Sequence, residues 1–261
     1  MKTVSSLILQ MVILTSCHAQ KNNKQEIKKY PIEVNQNTEV AEFYLKHKGD
    51  DEPSISVGTV SSGKLLNGKL FPFYGPNYTY FDAQSYLAGR GFIHSVIRDI
   101  VLESYKQLEV SEPERHFYIM ECSNEHGGQI YPHRTHQNGT SVDFMMPKLK
   151  NDEPYTDLDH LGGDHYWLSF DNQGKYSKDP SIVIDFNLIA KHILILNEKA
   201  KKEGYKIAKV IIKIEFKDEL FETEYGKKLK ESGIYIVRNL NALINSLHDE
   251  HYHIDFEPIN K

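Results

Sequence analysis

Cysteine is scarce. The 261 residues contain two, Cys17 and Cys122, too few for a disulfide-stapled scaffold, so stability has to come from an apolar core. Basic residues are in the minority, 31 against 36 acidic, for a formal charge of −5. That balance lacks the basic face of a nucleic-acid binder, and no nucleic-acid partner is expected. Long apolar runs are missing as well: the stretch Leu7–Leu14, broken by Gln10, is too short to span a bilayer permanently. Residues 54–257 show no repeat, no proline-rich linker and no second hydrophobic core. Ordinary apolar content and many aromatics remain, enough for one sizeable core, together with 13 histidines.

The amino end starts with Lys2, continues through the apolar run and reaches Leu14-Thr15-Ser16-Cys17. A short charged start, an apolar centre and small residues before a cleavage point describe an export signal. The last four residues resemble the lipobox of bacterial lipoproteins, in which the cysteine carries lipid; a plain secreted protein is the alternative. The expected organisation is therefore a lipoprotein signal peptide over 1–16, a lipidated Cys17 leading a polar tether over 17–53, and one domain over 54–261. Residues from His18 to about Val40 are rich in Lys, Asn and Gln, a solvated composition. Cys122, left without a partner, is expected to be a buried thiol.

Within the domain, β-branched runs punctuated by glycine predict small strands over 54–70, and 71–81 reads as aromatic loop. Val96, Ile97, Ile100, Val101 and Tyr105 recur at helical spacing over 95–108. Phe117–Met120 is a buried-strand candidate. Asp185 is placed to cap a helix running to about Glu203, with Phe186, Ile189, Ile193 and Leu196 on its inner stripe. A central strand is expected over 209–216, a charged surface helix over 217–231, and a closing strand over 248–256. The sum is an α+β domain: a small antiparallel sheet flanked by helices, with two histidine clusters carried by its strands.

The first cluster is His133-Arg134-Thr135-His136-Gln137-Asn138-Gly139-Thr140-Ser141-Val142-Asp143; the second is His248-Asp249-Glu250-His251-Tyr252-His253. In an extended segment His251 and His253 project from one face while Tyr252 and Ile254 point to the other. A turn at Asn138-Gly139 can bring Asp143 back near His136. Zinc hydrolases use three protein ligands from His, Asp and Glu and leave a fourth position for water. His136, Asp143 and His253 supply such a set, with His251 beside it to take a proton or support an oxyanion. Taken singly, each of these histidines reads equally as a hydrogen-bonded surface or core residue, and Asp143 as a turn acid.

In combination, Thr135-His136-Gln137-Asn138-Gly139-Thr140-Ser141-Val142-Asp143 and His248-Asp249-Glu250-His251-Tyr252-His253 resemble the penicillin-insensitive murein endopeptidases. These belong to the wider group of lysostaphin-like, D-Ala-D-Ala and sonic-hedgehog-like zinc metallopeptidases. The likeness covers roughly 54–256. It implies a hedgehog/DD-peptidase-like fold, zinc on His136, Asp143 and His253, His251 as the catalytic histidine with His248 assisting, and His133 at most in contact with substrate. The implied reaction is hydrolysis of D-alanyl–meso-diaminopimelyl cross-links in peptidoglycan by an exported, lipid-anchored enzyme, facing the periplasm. Relatives commonly carry Ser where Thr135 stands and an acid where Ser141 stands, which puts the surroundings of the metal in question. The alternatives are a zinc D,D-carboxypeptidase or dipeptidase acting on free muropeptides, and a non-catalytic cell-wall-binding lipoprotein.

The acid-rich stretch from Asp157 to His165 lacks the spacing and closing glutamate of a calcium loop. It is expected to be a solvated loop bordering the groove.

Overall fold

The computed structural model describes residues 38–259; the expected signal peptide and the lipidation site at Cys17 lie outside the described residues. In chain order the elements are α1 (Thr38–His47), β1 (Ile55–Thr59), β2 (Ser62–Leu66), β3 (Lys69–Leu70), β4 (Tyr78–Tyr80), α2 (Ala83–Leu87), β5 (Phe92–Ile93), α3 (Ser95–Ser111) and β6 (Phe117–Ile119). They continue with β7 (Ser141–Met145), β8 (Lys148–Lys150), β9 (Glu153–Tyr155), a 3₁₀ turn at Gly162–Trp167, β10 (Lys175–Tyr176), β11 (Asp179–Ile184) and α4 (Phe186–Lys202). The last are β12 (Tyr205–Ile211), α5 (Lys217–Glu222), α6 (Glu224–Glu231), α7 (Ala242–Ser246) and β13 (His251–Pro258). Helices and small, mainly antiparallel sheets mix along the chain, as expected of an α+β domain.

The sheet that positions the site has the order β12-β13-β7-β6-β4. β13 runs antiparallel to both β7 and β12. Directly opposed residues share a face, so Val142 with Ile254 and Phe144 with Tyr252 turn to one side. There they join Ile193 and Leu196 of α4 and Ile100 and Val101 of α3 in the core. The opposite face carries Ser141 with Asp255, Asp143 with His253, and Met145 with His251. The pleat alone thus divides β13 into an apolar side and a functional side.

α4 forms as its sequence requires. Asp185 accepts a hydrogen bond from the Leu188 backbone N–H at 3.0 Å and pairs with Arg115, while Phe186, Ile189, Ile193 and Leu196 are all buried at helical spacing. His94 caps α3 in the same way, its Nδ1 accepting from the Val96 N–H at 3.2 Å.

Several expectations need correction. The tether expected over 17–53 is helical from Thr38: Val40 is buried, and Phe43 sets its ring edge-on to Tyr86 at 5.8 Å. The aromatic stretch 71–81 contains β4. The strand expected over 209–216 lies earlier, at Tyr205–Ile211, and forms an edge of its sheet, because Gly204 ends α4 with a positive φ of 75° and turns the chain directly into it. The charged helix expected over 217–231 is two helices, since the Thr223 hydroxyl accepts from the Gly226 N–H and caps a new one. The closing strand begins at His251, leaving His248 just before it. The stretch 157–165 is solvated only in part: Asp157, His160, Leu161, Gly163 and Asp164 are exposed, but two of its residues turn inward. Asp159 and His165 are buried, and Asp159 pairs with buried Lys148 at 2.7 Å.

Candidate metal and catalytic site

Asp143 and His253 face one another across neighbouring strands, with Asp143 Oδ1 2.7 Å from His253 Nδ1. His136 arrives from the loop before β7 and not from a strand, and it adopts a left-handed φ of 69°. For a residue with a side chain that conformation is strained and calls for support from its surroundings. Here the His136 N–H points to Ser141 Oγ at 3.3 Å, and the turn beyond is made by Gly139 at φ 79°. A Cβ on Gly139 would stand 2.7 Å from a Leu65 methyl and 3.1 Å from the His94 nitrogen. Glycine is therefore required on two counts where the chain folds back to deliver His136 to Asp143.

His136 Nε2 and Asp143 Oδ2 lie 3.2 Å apart. Two donors on one tetrahedral zinc, at ~2.0–2.1 Å from the metal, stand roughly 3.3 Å from each other, so the separation fits. The pair is close but not aligned for a hydrogen bond, and both His136 nitrogens and Asp143 Oδ2 are buried without a partner. Buried polar atoms are nearly always satisfied, and unpaired donors of this kind converging on one point suit a cation. His133, His136 and Asp143 offer one ligand atom each, all within 4.8 Å of one another. These three can together hold a metal ion. The expected set was His136, Asp143 and His253; the two sets share His136 and Asp143, and both third members adjoin them. His253 and His136 have ring centres 4.7 Å apart, and His133 and His136 4.8 Å.

Each outer histidine is fixed from behind by a carboxylate. His253 Nε2 donates to Asp255 Oδ1 at 2.7 Å, leaving Nδ1 toward Asp143. Asp255 is itself held by the Ser141 hydroxyl at 2.5 Å and by Lys209 Nζ at 2.9 Å. Burial opposes charge on His253, but the Asp255 and Asp143 carboxylates outweigh it and push the ring up to about 10; were His253 to hold a metal, the ring would give up a proton to do so. Burial opposes ionisation of Asp143 too, and the two imidazoles nonetheless hold it well below the usual carboxylate range. His133 Nε2 is bound by Glu121 Oε2 at 2.5 Å, and Glu121 takes bonds from Arg90 at 2.8 Å and Ser85 at 3.0 Å.

His251 and His248 stand beside this group with ring centres 4.7 Å apart. His251 Nδ1 is bound by Glu250 Oε1 at 2.5 Å. His248 donates from Nδ1 to the Ile244 carbonyl at 2.7 Å, and burial together with the charge on His251 depresses its pKa to about 3, so it stays neutral. Both rings, with His133, His253, Tyr166, Arg90, Arg134 and Lys209, line a cleft of about 440 Å³. His136 and Asp143 lie behind the cleft wall, fully buried.

All five histidines named in the sequence and Asp143 are thus gathered at one place. The sequence reading passed over Asp255, which the alternation His251-x-His253-x-Asp255 puts on the functional face. It also passed over Glu121 and Glu250; Glu121 carries no local signal, reaching His133 only through the fold. Cys122 is buried, as expected, and burial raises its thiol pKa well above the ordinary value, which removes it as a nucleophile. Neither the models of known protein families nor the curated proteins compared with the chain match it.

Proposed function

We propose that the protein is a zinc-dependent murein endopeptidase with a hedgehog/DD-peptidase-like fold, exported and tethered to a bacterial membrane through Cys17, that hydrolyses D-alanyl–meso-diaminopimelyl cross-links. The observation that carries the reading is the gathering of His133, His136 and Asp143, whose ligand atoms lie within 4.8 Å of one another, with His253 against Asp143 and with His251 and His248 lining the cleft beside them. A purely structural zinc site would have no use for a second pair of imidazoles, His248 and His251, facing the same cleft.

His136, Asp143 and His253 are taken as the ligands. Both rings are held by a carboxylate; His253 is favoured over His133 because it sits on a sheet strand and is buried, whereas His133 is on a loop with 16 % of its side chain exposed. When bound, zinc supplies Lewis acidity toward a carbonyl oxygen and lowers the pKa of water. The chain supplies the rest. Burial opposes charge on His251, but the Glu250 carboxylate at Nδ1 outweighs it and raises the ring to about 9, so its Nε2–H is the group available to support the oxyanion and to give its proton to the leaving amine. His248, neutral and with its single N–H given to the Ile244 carbonyl, presents Nε2 only as an acceptor beside His251. Arg134 lines the cleft as well, a cation suited to a peptide bearing free carboxylates.

The test is digestion of purified peptidoglycan by the processed chain, with and without a chelator, beside His251→Ala, read by mass analysis of the muropeptides. Chelator-sensitive loss of dimers with gain of monomers, abolished in the variant, is the expected result. Intact dimers with trimmed monomers would indicate a carboxypeptidase instead, and no change in either would leave a binding protein.

A further inference from the structure

Behind His251 a line of buried polar groups runs from the site into the second sheet, and none of its members lines the cleft. It begins at Lys148 on β8. Lys148 is 1 % exposed, and its Nζ donates to the Met146 carbonyl at 2.9 Å and to Asp159 at 2.7 Å. Its third contact is His165 Nε2 at 3.2 Å. An ammonium has only protons to give, so His165 Nε2 must accept, and the single proton of a neutral ring is then on Nδ1. Burial and the neighbouring Lys148 charge both lower the pKa of His165, which keeps the ring neutral. Its Nδ1 stands 2.9 Å from Glu250 Oε2; the contact is bent in angle, but neither atom has another partner in the buried interior. Glu250 Oε1 in turn holds His251 Nδ1 at 2.5 Å.

Each link dictates the next because every member can act in only one sense. A lysine gives, a carboxylate receives, and His165 between them is left one arrangement. All of it is buried, where an unpaired polar group costs ~1–3 kcal/mol, so the alternative tautomer of His165 would set two acceptors against Glu250 and two donors against Lys148.

We propose that His165 is a positioning residue for His251: anchored at Nε2 by Lys148, it presents Nδ1–H to Glu250, which then holds His251 with Nε2 directed to the cleft. This rests on the reading that His251 moves the reaction's proton. It gives the second sheet and the stretch 157–165 a purpose, since Lys148, Asp159 and His165 reach the site only through Glu250.

Two measurements test it on the full chain. Long-range 15N correlation of the histidine rings at neutral pH is expected to show His165 as the Nδ1–H tautomer; an Nε2–H tautomer or a charged ring overturns the proposal, whatever the protein catalyses. Kinetics of cross-link hydrolysis are then compared for His165→Leu and His165→Asn, the latter keeping an N–H where Nδ1 was. The leucine variant is expected to lose about 10–100-fold in kcat, the range for partners that orient a working group from behind, with KM and bound zinc unchanged, and the asparagine variant to recover most of that loss. Unchanged kcat in the leucine variant, or equal loss in both, overturns the proposal in favour of simple packing. A wild-type chain with no hydrolytic activity would instead count against the proposed function, and the tautomer measurement would still decide the role of His165.

Discussion

His253 and Asp255, two residues apart on β13, point to the same side of the strand and are joined by a 2.7 Å hydrogen bond from Nε2 to Oδ1. That bond decides which nitrogen of His253 faces Asp143. Carboxylates behind metal-binding histidines typically contribute 10–100-fold in affinity. Asp255→Asn is therefore expected to weaken zinc binding by about that factor, measured by competition with a chromophoric chelator, while circular dichroism stays unchanged. Undiminished affinity would mean that His253 is not a ligand.

Gly139 links the two first-cluster ligands through a turn that a side chain cannot enter. Its φ of 79° and the 2.7 Å approach of Leu65 together predict that Gly139→Ala lowers stability by about 1–3 kcal/mol. Because the strain sits between His136 and Asp143, zinc affinity should fall as well. Chemical denaturation and zinc titration of the same variant check both.

His192 lies on the core side of β13. Its Nδ1 is 2.6 Å from the Tyr252 hydroxyl and its Nε2 3.1 Å from the Ser104 hydroxyl. Burial depresses its pKa from 6.5 to about 3. As pH falls below 6.5 the unfolded chain takes up this proton while the folded one does not. The stability tied to His192 is thus complete above pH 6.5 and is lost progressively from there down to about 3. One such group gives a slope of up to ~1.4 kcal/mol per pH unit. His192→Gln should flatten stability against pH between 6 and 4 by that amount; equal slopes in the two proteins would contradict it.

Much of this was legible in the chain. The strict alternation His251-Tyr252-His253-Ile254 fixed the two faces of the last strand, and Gly139 marked the turn between His136 and Asp143, because both signals are local. Asp185 before an apolar stripe announced α4 in the same way. What escaped was settled by tertiary contact. Asp157–His165 looks solvated because its acids and glycines are polar, yet Lys148, arriving from another strand, neutralises Asp159 and draws His165 inward. Glu121 follows a buried strand and meets His133 only after the chain has turned back. The opening helix from Thr38 resembles a tether in composition, and only the docking of Val40 and Phe43 gives it order.

His136 and Asp143 are the two residues on which the proposed zinc site rests. The direct measurement is metal content of the purified full chain after dialysis against trace zinc, beside Asp143→Ala and His133→Ala, with X-ray absorption on the zinc-loaded protein. One zinc per chain with nitrogen and oxygen neighbours, lost in Asp143→Ala and kept in His133→Ala, is the result expected. Zinc absent from the wild type, or bound equally well without Asp143, would contradict the account.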